Sequence, residues 1–341
     1  MKKTRVAIVG ANGYTGFMLM KLLSVRDDIQ IEYVTSRANA GVNVSELYPT
    51  LGAKYGDLKF CDADTDKLSK VDFAFTALPH TAGAQIGGML VDKGVRLIDL
   101  SADFRYDDTA LYESTYGVTH PRPDLAREAV YGLCELNREK IASSRLIGNP
   151  GCYTTAAILA LKPLIDSGLI EKSGIIIDAK SGVTGAGRKA DIAYSYCETE
   201  GNFKVYGAVG HRHTTEIEEK VGVSPIAFTP HLLPVKRGIL ETIYAKVRTD
   251  DYAEISECYE KYYGGERFVK FVGSALPDLK SVRGSNCVRI GAMLDPKCGL
   301  IKVVSVIDNL IKGASGQAVQ NMNIMLGCDE GLGLPLVGEH L

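Results

Sequence analysis

The chain has 341 residues, of which 45% are apolar and 23% are charged, a balance that predicts about two globular domains. A formal net charge of −2 without a basic block argues against a nucleic-acid-binding surface. No apolar run reaches the length of a membrane span, and the eight cysteines include no CxxC pair and no zinc-ligand spacing. Because the N-terminus runs directly into a strand pattern, we expect a cytoplasmic protein with reduced thiols and no membrane contact.

The first half of the chain alternates strand and helix patterns. Its strand candidates are TRVAIVG, IQIEYVTS, VDFAFTAL, RLIDLSA and RLIGNP. Continuously apolar strands separated by helices predict a parallel sheet that is covered on both faces.

The glycine motif GANGYTG lies between the first strand and the first helix. Gly10, Gly13 and Gly16 permit a tight turn, close approach of the backbone to a pyrophosphate, and close packing of helix on sheet. This context predicts a Rossmann-type dinucleotide-binding domain, although a glycine-rich turn without a ligand would show the same letters. The remaining cofactor candidates in this loop are Asn12, Tyr14 and Thr15.

The end of the second strand distinguishes between cofactors. A domain selective for NAD normally has an acidic residue there, whereas this chain has Thr35, Ser36 and Arg37, and Glu32 is too early in the strand. Hydroxyls and a guanidinium suit a 2′-phosphate. Ser36 and Arg37 therefore predict NADP(H), and a solvated surface arginine is the alternative.

The second half of the chain has a different pattern, in which strand candidates follow one another with few helices between them. They are SGIIIDAKSG, SPIAFTPHLL, GILETIYAKV, FVKFV, CVRIGAMLD and LIKVVSVIDN. This pattern predicts a second, α+β domain with a mostly antiparallel sheet. The chain then ends in a helix pattern, GASGQAVQNMNIMLG.

Cys152 lies in the segment GNPGCYTT, between a Pro-Gly turn and a helix pattern. A cysteine at a helix N-terminus can have a lowered pKa and act as a thiolate near neutral pH. A small buried hydrophobic residue is the alternative interpretation.

The segment GHRHTTEIEE places His211, Arg212 and His213 before a helix start, with Thr214 as a plausible N-cap. Imidazole titrates near neutral pH, which favours a general acid or base near the cysteine. A metal site is disfavoured because no third ligand is evident, and we predict none.

Two further segments have residue types that bind anions. SADFR places Ser101, Asp103 and Arg105 beyond a parallel strand, where open α/β sheets bind ligands; structural pairing of Asp103 with Arg105 is the alternative. SGVTGAGR, from Ser181 to Arg188, is a glycine- and hydroxyl-rich loop suited to an anion, or a plain hairpin loop.

Taken together, these segments resemble the N-acetyl-γ-glutamyl-phosphate reductase family of arginine biosynthesis. The resemblance covers essentially the whole chain and rests on GANGYTG, SADFR, YGLCELNRE, NPGCYTT, SGVTGAGR, GHRHTTEI and GASGQAVQNMN. It implies an NADP-binding domain over 1–149, a catalytic and oligomerisation domain over 150–312, and a C-terminal segment, 313–341, that returns to the first domain. The family often has proline at the positions of Thr154 and Thr215, a difference that leaves the chemistry untouched.

The resemblance also implies the reaction. Cys152 would attack the acyl phosphate to form a thioester, NADPH would reduce it to the semialdehyde, and His211 would supply a proton. Further candidates are Gly185 and Asn309 for the cofactor, and Ser101, Arg105, Asn149, Ser181, Arg188, His213 and Glu216 for the substrate.

Three alternatives stay open at this point. Aspartate-semialdehyde dehydrogenase shares fold and mechanism but lacks the PGCY sequence. The homologous reductase of lysine biosynthesis takes a substrate one methylene longer on a carrier protein, and one methylene discriminates weakly. A non-catalytic NADP-sensing regulator is the third. We expect a small acyl-phosphate substrate and a homodimer or homotetramer.

Overall fold

A computed structural model describes residues 3–188 and 190–339. As far as they are described, Met1–Pro150 and Ala314–Leu334 form one compact unit, and Gly151–Gly313 and Pro335–Leu341 form a second. The predicted division assigned all of 313–341 to the first domain. In the structure, Pro335 O accepts from the Asn286 N–H at 2.8 Å, which ties the chain after Leu334 to the second unit.

The first unit contains a seven-stranded parallel sheet, as predicted. In the described residues its strand order is β3-β2-β1-β4-β5-β7-β6. The strands are β1 (Thr4–Val9), β2 (Ile29–Thr35), β3 (Phe60–Cys61), β4 (Phe73–Thr76), β5 (Arg96–Asp99), β6 (Val130–Tyr131) and β7 (Leu146–Gly148). Every residue of β4 is buried, because helices cover both faces of such a sheet.

Eight helices of the described first unit connect or flank these strands. They are α1 (Tyr14–Leu23), α2 (Val44–Leu47), α3 (Gly52–Tyr55), α4 (Thr65–Leu68), α5 (Ala82–Asp92), α6 (Thr109–Tyr116), α7 (Pro123–Ala126) and α8 (Cys134–Ser143). None of the described helices combines the length and the apolar character that a bilayer crossing requires.

The second unit contains a mixed, mostly antiparallel sheet, also as predicted. Its order in the described residues is β12-β13-β14-β11-β8-β10-β9, with β8/β10 and β12/β13 parallel. The strands are β8 (Ile176–Gly182), β9 (Lys204–Val205), β10 (Ala227–Leu233), β11 (Ile239–Lys246), β12 (Val269–Phe271), β13 (Val288–Asp295) and β14 (Leu300–Ile307). Its helices are α9 (Cys152–Asp166), α10 (Tyr196–Thr199), α11 (Arg212–Val221) and α12 (Tyr252–Tyr263).

Burial alternates strictly along β11, so that one face of this sheet is buried and the other is partly open. The buried face packs against α9, which is itself buried over most of its length.

The last helix, α13 (Gly316–Leu326), belongs to the first unit, and Gly316–Met325 are all buried. Polar residues hold it there: Asn321 Nδ2 donates to Gly132 O at 2.8 Å, and Asn323 Oδ1 accepts from the buried Arg26 at 2.6 Å. The glycine-rich turn before it contains a π-helical turn, Ile311–Ser315.

Candidate active site

Cys152 is the first residue of α9, at the corner where the chain leaves β7. Its thiol is half-buried. The N-cap residue Gly151 has an extended backbone and supplies no side chain to cap the helix. The predicted position at a helix N-terminus is therefore confirmed, and the first-turn N–H groups and the helix dipole favour an anion there.

Glu216 anchors the start of the same helix. Its side chain is fully buried, and Oε1 accepts from the Gly151 N–H at 3.0 Å and from the Thr154 hydroxyl at 2.9 Å. The hydroxyls of Thr154 and Thr155 also donate to Gly151 O, at 2.7 and 3.0 Å. Glu216 was predicted to contact substrate; the structure shows it holding the turn that presents Cys152.

His211 is the N-cap of α11, where Thr214 was predicted to be. Its Nδ1 accepts from the backbone N–H of His213 at 3.2 Å, so the ring proton of the neutral imidazole lies on Nε2. The prediction for Thr214 is wrong because the helix already begins at Arg212, which places Thr214 in the first turn.

Burial, with a smaller contribution from Arg212, lowers the pKa of His211 to about 4. Water stabilises the imidazolium better than the partly buried site does, so the ring is neutral at pH 7. This differs from the expectation of an imidazole that titrates near neutral pH.

Aromatic rings connect the histidines to the residue after the cysteine. The Tyr153 ring lies 5.9 Å from the His211 ring and 5.8 Å from the His213 ring, centroid to centroid. Tyr206 and Phe228 lie 5.7 and 5.2 Å from His211. The hydroxyls of Tyr153 and Tyr206 are 3.0 Å apart. The second unit thus brings the HRH segment beside the first turn of α9.

Gly313 lies directly against the cysteine. A Cβ added at Gly313 would be 2.8 Å from Cys152 Cβ and 3.1 Å from Ile307 Cδ1. Real Cβ atoms do not approach so closely, so this position keeps the space beside the nucleophile free of any side chain.

The SGVTGAGR segment begins with the last two residues of β8 and continues into the loop after it. Ser181 is buried and its hydroxyl donates to Gly182 O at 3.0 Å, whereas Gly185 and Arg188 are exposed. Asn309 supports this loop, since Nδ2 donates to Thr184 Oγ1 at 3.1 Å and Oδ1 accepts from the Gly238 N–H at 2.7 Å. The roles predicted for these residues stay predictions.

The three glycines of the GANGYTG motif differ in what surrounds them. A Cβ at Gly10 would lie 2.5 Å from Ala77 O, and one at Gly16 would lie 2.4 Å from Ala11 Cα. Gly13, the N-cap of α1, has nothing within 4 Å of an added Cβ. Gly10 and Gly16 thus serve close packing, while the open space at Gly13 fits a pyrophosphate at the helix N-terminus.

The other residues of this loop are held through their backbones. Tyr48 OH donates to Asn12 O at 2.7 Å, and Ser315 Oγ donates to Thr15 O at 2.9 Å. Tyr14 is exposed at the start of α1.

At the end of β2, the hydroxyl of Thr35 accepts from the Gly10 N–H at 3.0 Å. Thr35 therefore braces the glycine loop instead of facing a 2′-phosphate. Ser36 is buried and its Oγ accepts from Asn39 Nδ2 at 3.1 Å, whereas Arg37 is exposed. Arg37 is the residue here that is best placed to bind a phosphate from solvent.

Ser101, Arg105 and Asn149 make hydrogen bonds inside the first unit. The Ser101 hydroxyl donates to Asp99 at 2.5 Å, Arg105 Nε donates to Asn149 O at 2.7 Å, and Asn149 Nδ2 donates to Ala314 O at 3.1 Å. Burial, followed by the nearby Asp103, raises the pKa of Asp99 to about 6. These three side chains, predicted to hold substrate, stabilise the ends of the strands and the start of the C-terminal helix.

Comparison with known proteins decides the family. Residues 5–144 match the domain family described as "Semialdehyde dehydrogenase, NAD binding domain", and residues 152–309 match "Semialdehyde dehydrogenase, dimerisation domain". The chain is 47% identical to a protein of Caldicellulosiruptor saccharolyticus named N-acetyl-gamma-glutamyl-phosphate reductase, over 98% of this chain and 99% of that protein. It is also 47% identical to a protein of that name from Geobacter metallireducens, over 96% and 97%. The chain belongs to the N-acetyl-γ-glutamyl-phosphate reductase family.

Solved structures agree on the fold of this reductase family member. Aspartate semialdehyde dehydrogenase II of Vibrio cholerae, in a complex with ASA, matches with a TM-score of 0.72 and 19% identity, over 96% of this chain and 99% of that chain. An aspartate semialdehyde dehydrogenase of Candida albicans, solved with NADP, gives 0.70 and 15%. The predicted family, fold class, enzyme class and nicotinamide cofactor, NADP(H), are confirmed.

Sequence reasoning about this reductase missed several residues that shape the site. The positions of Tyr153 and Gly313 beside His211 and Cys152 depend on contacts between distant segments. A tyrosine or a glycine in a sequence does not by itself indicate such a position. The predicted lack of a metal site stays a prediction: no group of three metal-ligating residues occurs within 3–188 and 190–339.

Proposed function

We propose that this enzyme reduces N-acetyl-γ-glutamyl phosphate to N-acetylglutamate 5-semialdehyde and phosphate, using NADPH, in arginine biosynthesis. The observation that carries the proposal is Cys152 at the N-terminus of α9, in a chain 44–47% identical over nearly its full length to reductases of that name. The sensor interpretation is not favoured, because the cysteine lies at a helix start suited to a nucleophile.

The first step forms a thioester. The thiolate of Cys152 attacks the acyl carbon, a carbon–sulfur bond forms, and the carbon–oxygen bond to phosphate breaks. The departing phosphate takes up one proton from solvent. The buried Glu216 keeps the Gly151 turn in place, so that the thiolate stays at the first-turn N–H groups that stabilise negative charge.

When bound, NADPH supplies the hydride that reduces the thioester carbonyl. The open space at Gly13 and the uncapped start of α1 would hold the pyrophosphate. Ser36 and Arg37 would hold the 2′-phosphate, with further contacts from the glycine loop. The carbon–sulfur bond then breaks, which releases the semialdehyde and returns Cys152 to the thiolate.

His211 acts in its neutral form. With Nδ1 engaged by the His213 N–H and the pKa lowered to about 4, Nε2 keeps its proton at pH 7. We assign it as a hydrogen-bond donor to the substrate carbonyl oxygen as negative charge develops there. Full proton transfer from an imidazolium, as expected from sequence, does not fit this environment.

The substrate's charged ends require cations. Arg188 is exposed on the loop after β8 and is our candidate for the phosphate or carboxylate. Ser181 and His213 belong to the same unit and complete the proposed set of substrate-binding residues. The side chains that contribute by holding the backbone in place are Ser101, Arg105, Asn149 and Glu216.

We also infer a homodimer or homotetramer formed through the second unit, in line with the dimerisation domain family that matches residues 152–309. The cytoplasm is the proposed location, in keeping with eight free cysteines.

Phosphate-dependent reduction of NADP⁺ by N-acetylglutamate semialdehyde tests the function. Wild-type protein should turn over, and Cys152→Ser should lose turnover while it still binds NADPH, because a hydroxyl is a much poorer nucleophile. Activity above about a tenth of wild type in the serine variant would exclude the thioester. Preference for the aminoadipate semialdehyde would support the lysine-pathway alternative, and tight NADPH binding without turnover would support the sensor.

A further inference from the structure

The buried carboxylate of Asp103 makes hydrogen bonds that the proposed reaction does not use. Its Oδ1 accepts from the Thr81 N–H at 2.9 Å and from Tyr112 OH at 2.6 Å, and Oδ2 accepts from the Ala84 N–H at 2.7 Å. The side chain is 1% exposed. Thr81 ends the connection between β4 and α5, and Ala84 lies in the first turn of α5, so Asp103 holds the start of α5 and the connection before it from outside.

The connection contains a strained residue. Thr81 has φ 68° and ψ −46°, and it is the single non-glycine residue with positive φ in the described part of the chain. A β-branched side chain rarely adopts this region, and such strain persists where surrounding contacts impose it. Thr81 is also the N-cap of α5 and offers no side-chain cap. Asp103 supplies the missing acceptor and so maintains the strained turn.

Ser101 adds to the contacts by which the segment around Asp103 holds the start of α5. Its hydroxyl donates to Asp99 and accepts from the Asp103 N–H at 3.2 Å. A Cβ on Gly83, in the first turn of α5, would lie 2.6 Å from Ser101 Oγ. The start of α5 is therefore pressed directly onto the SADF segment, which leaves little freedom for the turn before it.

The clamped connection borders the glycine loop. Ala77 N donates to Val9 O at 2.8 Å, and Ala77 O is the atom that an added Cβ on Gly10 would strike. Strands β1 and β4 are neighbours at the point where the strand order reverses direction, with β2 on one side and β5 on the other. Parallel sheets bind dinucleotides in the crevice beyond such a point. Residues 10–13 and 77–81 follow its two strands.

We propose that Asp103 is a positioning residue for the cofactor: it holds the Thr81 turn so that residues 77–81 form one wall of the dinucleotide crevice. Asp103 acts through this turn and does not contact the ligand. The inference relies on the proposed function only for the identity of the cofactor.

The test measures NADPH binding by fluorescence titration, which needs no acyl substrate, together with thermal unfolding. In Asp103→Asn, an amide N–H₂ faces the Ala84 N–H, so the turn should relax and Kd should rise about tenfold, the equivalent of 1.4 kcal/mol. Adding Thr81→Gly should restore Kd to within about threefold, because glycine adopts positive φ without strain. Tyr112→Phe, which leaves the bonds from Asp103 to the Thr81 and Ala84 N–H groups, should stay within about twofold of wild type.

Two results would overturn the proposal. One is a folded Asp103→Asn variant with wild-type Kd. The other is a folded double variant whose Kd remains raised about tenfold, which would indicate direct contact between Asp103 and the ligand. Hydrogen exchange of the wild-type protein supplies a test that needs no variant to fold: NADPH should slow exchange across residues 77–84, and unchanged exchange there contradicts the proposed wall. Wild-type protein that binds NADPH without turnover would refute the proposed function and leave this inference standing.

Discussion

The carboxylate of Glu216 and the backbone N–H of Gly151, 65 residues apart in the chain, are joined by a 3.0 Å hydrogen bond. Gly151 immediately precedes Cys152, so this bond places the end of one buried side chain at the turn that carries the nucleophile. Short-range capping is absent at this helix, whose N-cap is a glycine. A distant glutamate replaces it, which makes the geometry of the nucleophile depend on α11.

Replacing Glu216 with alanine should therefore affect both folding and catalysis. The variant leaves the buried N–H of Gly151 without its acceptor, whereas the Thr154 hydroxyl can still donate to Gly151 O, and we expect the free energy of unfolding to fall by about 1–3 kcal/mol. We also expect kcat to fall. Glu216→Gln keeps an acceptor oxygen and should lose less of both. Urea unfolding and steady-state kinetics give the answer, and an alanine variant as stable as wild type would show that the bond contributes nothing.

Gly313→Ala should lower kcat strongly, through displacement of the nucleophile and not through unfolding of the protein. The added methyl group meets Cys152 Cβ at 2.8 Å, so the nucleophile or its neighbour must move. Misplacing a reacting group by about 1 Å can cost about 100-fold in rate. Gly265→Ala is the matched control, because an added Cβ there meets nothing within 4 Å. Equal activity of the two variants would show that the contact has no catalytic effect.

His211→Asn should lower kcat by about 10²–10³-fold, the usual loss when one donor to a developing oxyanion is displaced, and His213→Asn should cost less. Asparagine is a good N-cap and preserves the start of α11, so the variant isolates the chemistry of the ring. A larger loss in His213→Asn would transfer the role to His213.

The same variant tests the titration of His211. The unfolded chain binds a proton near pH 6.5, whereas the folded chain does so only near pH 4. Between these values the unfolded state holds the extra proton, so the free energy of unfolding should decrease as the pH falls. In urea unfolding experiments, the free energy of unfolding of His211→Asn should decrease less over this pH range than that of wild type.

Arg37→Ala should weaken the binding of NADPH but not that of NADH. A guanidinium hydrogen-bonded to a phosphate contributes about 1.5–3 kcal/mol, or about 10- to 150-fold in affinity. KM for NADPH should rise by that order while use of NADH hardly changes, and kcat at saturating cofactor should stay near wild type. The ratio of kcat/KM values at one ionic strength measures this, with the exposed Arg127→Ala as control. An unchanged ratio would refute the role of Arg37.

Glu241 should make the second unit less stable at high pH. It is fully buried on β11 opposite Ser305, and neither carboxyl oxygen has a hydrogen-bond partner in the described part of the chain. Burial raises the pKa of Glu241 well above its usual value. Above about pH 4.3 the unfolded glutamate has lost a proton that the folded one retains, so the free energy of unfolding falls as pH rises.

Glu241→Gln, which resembles the protonated acid, should remove that decline. Urea unfolding at about pH 5 and about pH 8 should show a smaller loss of stability in the variant than in wild type. The exposed Glu257→Gln is the matched control. Parallel behaviour of all three proteins would mean that Glu241 does not carry a proton in the folded chain.

The sequence was sufficient for most of the elements but not for their contacts. The position of Cys152 could be predicted because a turn and a helical periodicity are local signals. Two-residue strands such as Phe60–Cys61 and Lys204–Val205 are too short to show a period. The orientation of Thr35 and the anchoring by Glu216 depend on distant partners that no local pattern reveals. The glycine and cysteine motifs therefore located the site, and the tertiary structure assigned the supporting roles.

The burial of α13 has a consequence for synthesis. Its residues 316–325 are buried in a unit whose sheet and other helices lie before residue 151. Domains usually fold in the order in which the ribosome makes them. Here the first unit lacks a wall of its core until residues 316–325 have been translated, by which time the whole of Gly151–Gly313 has already been made. During synthesis, the first unit therefore stays incomplete after the segment Gly151–Gly313 of the second unit is able to fold.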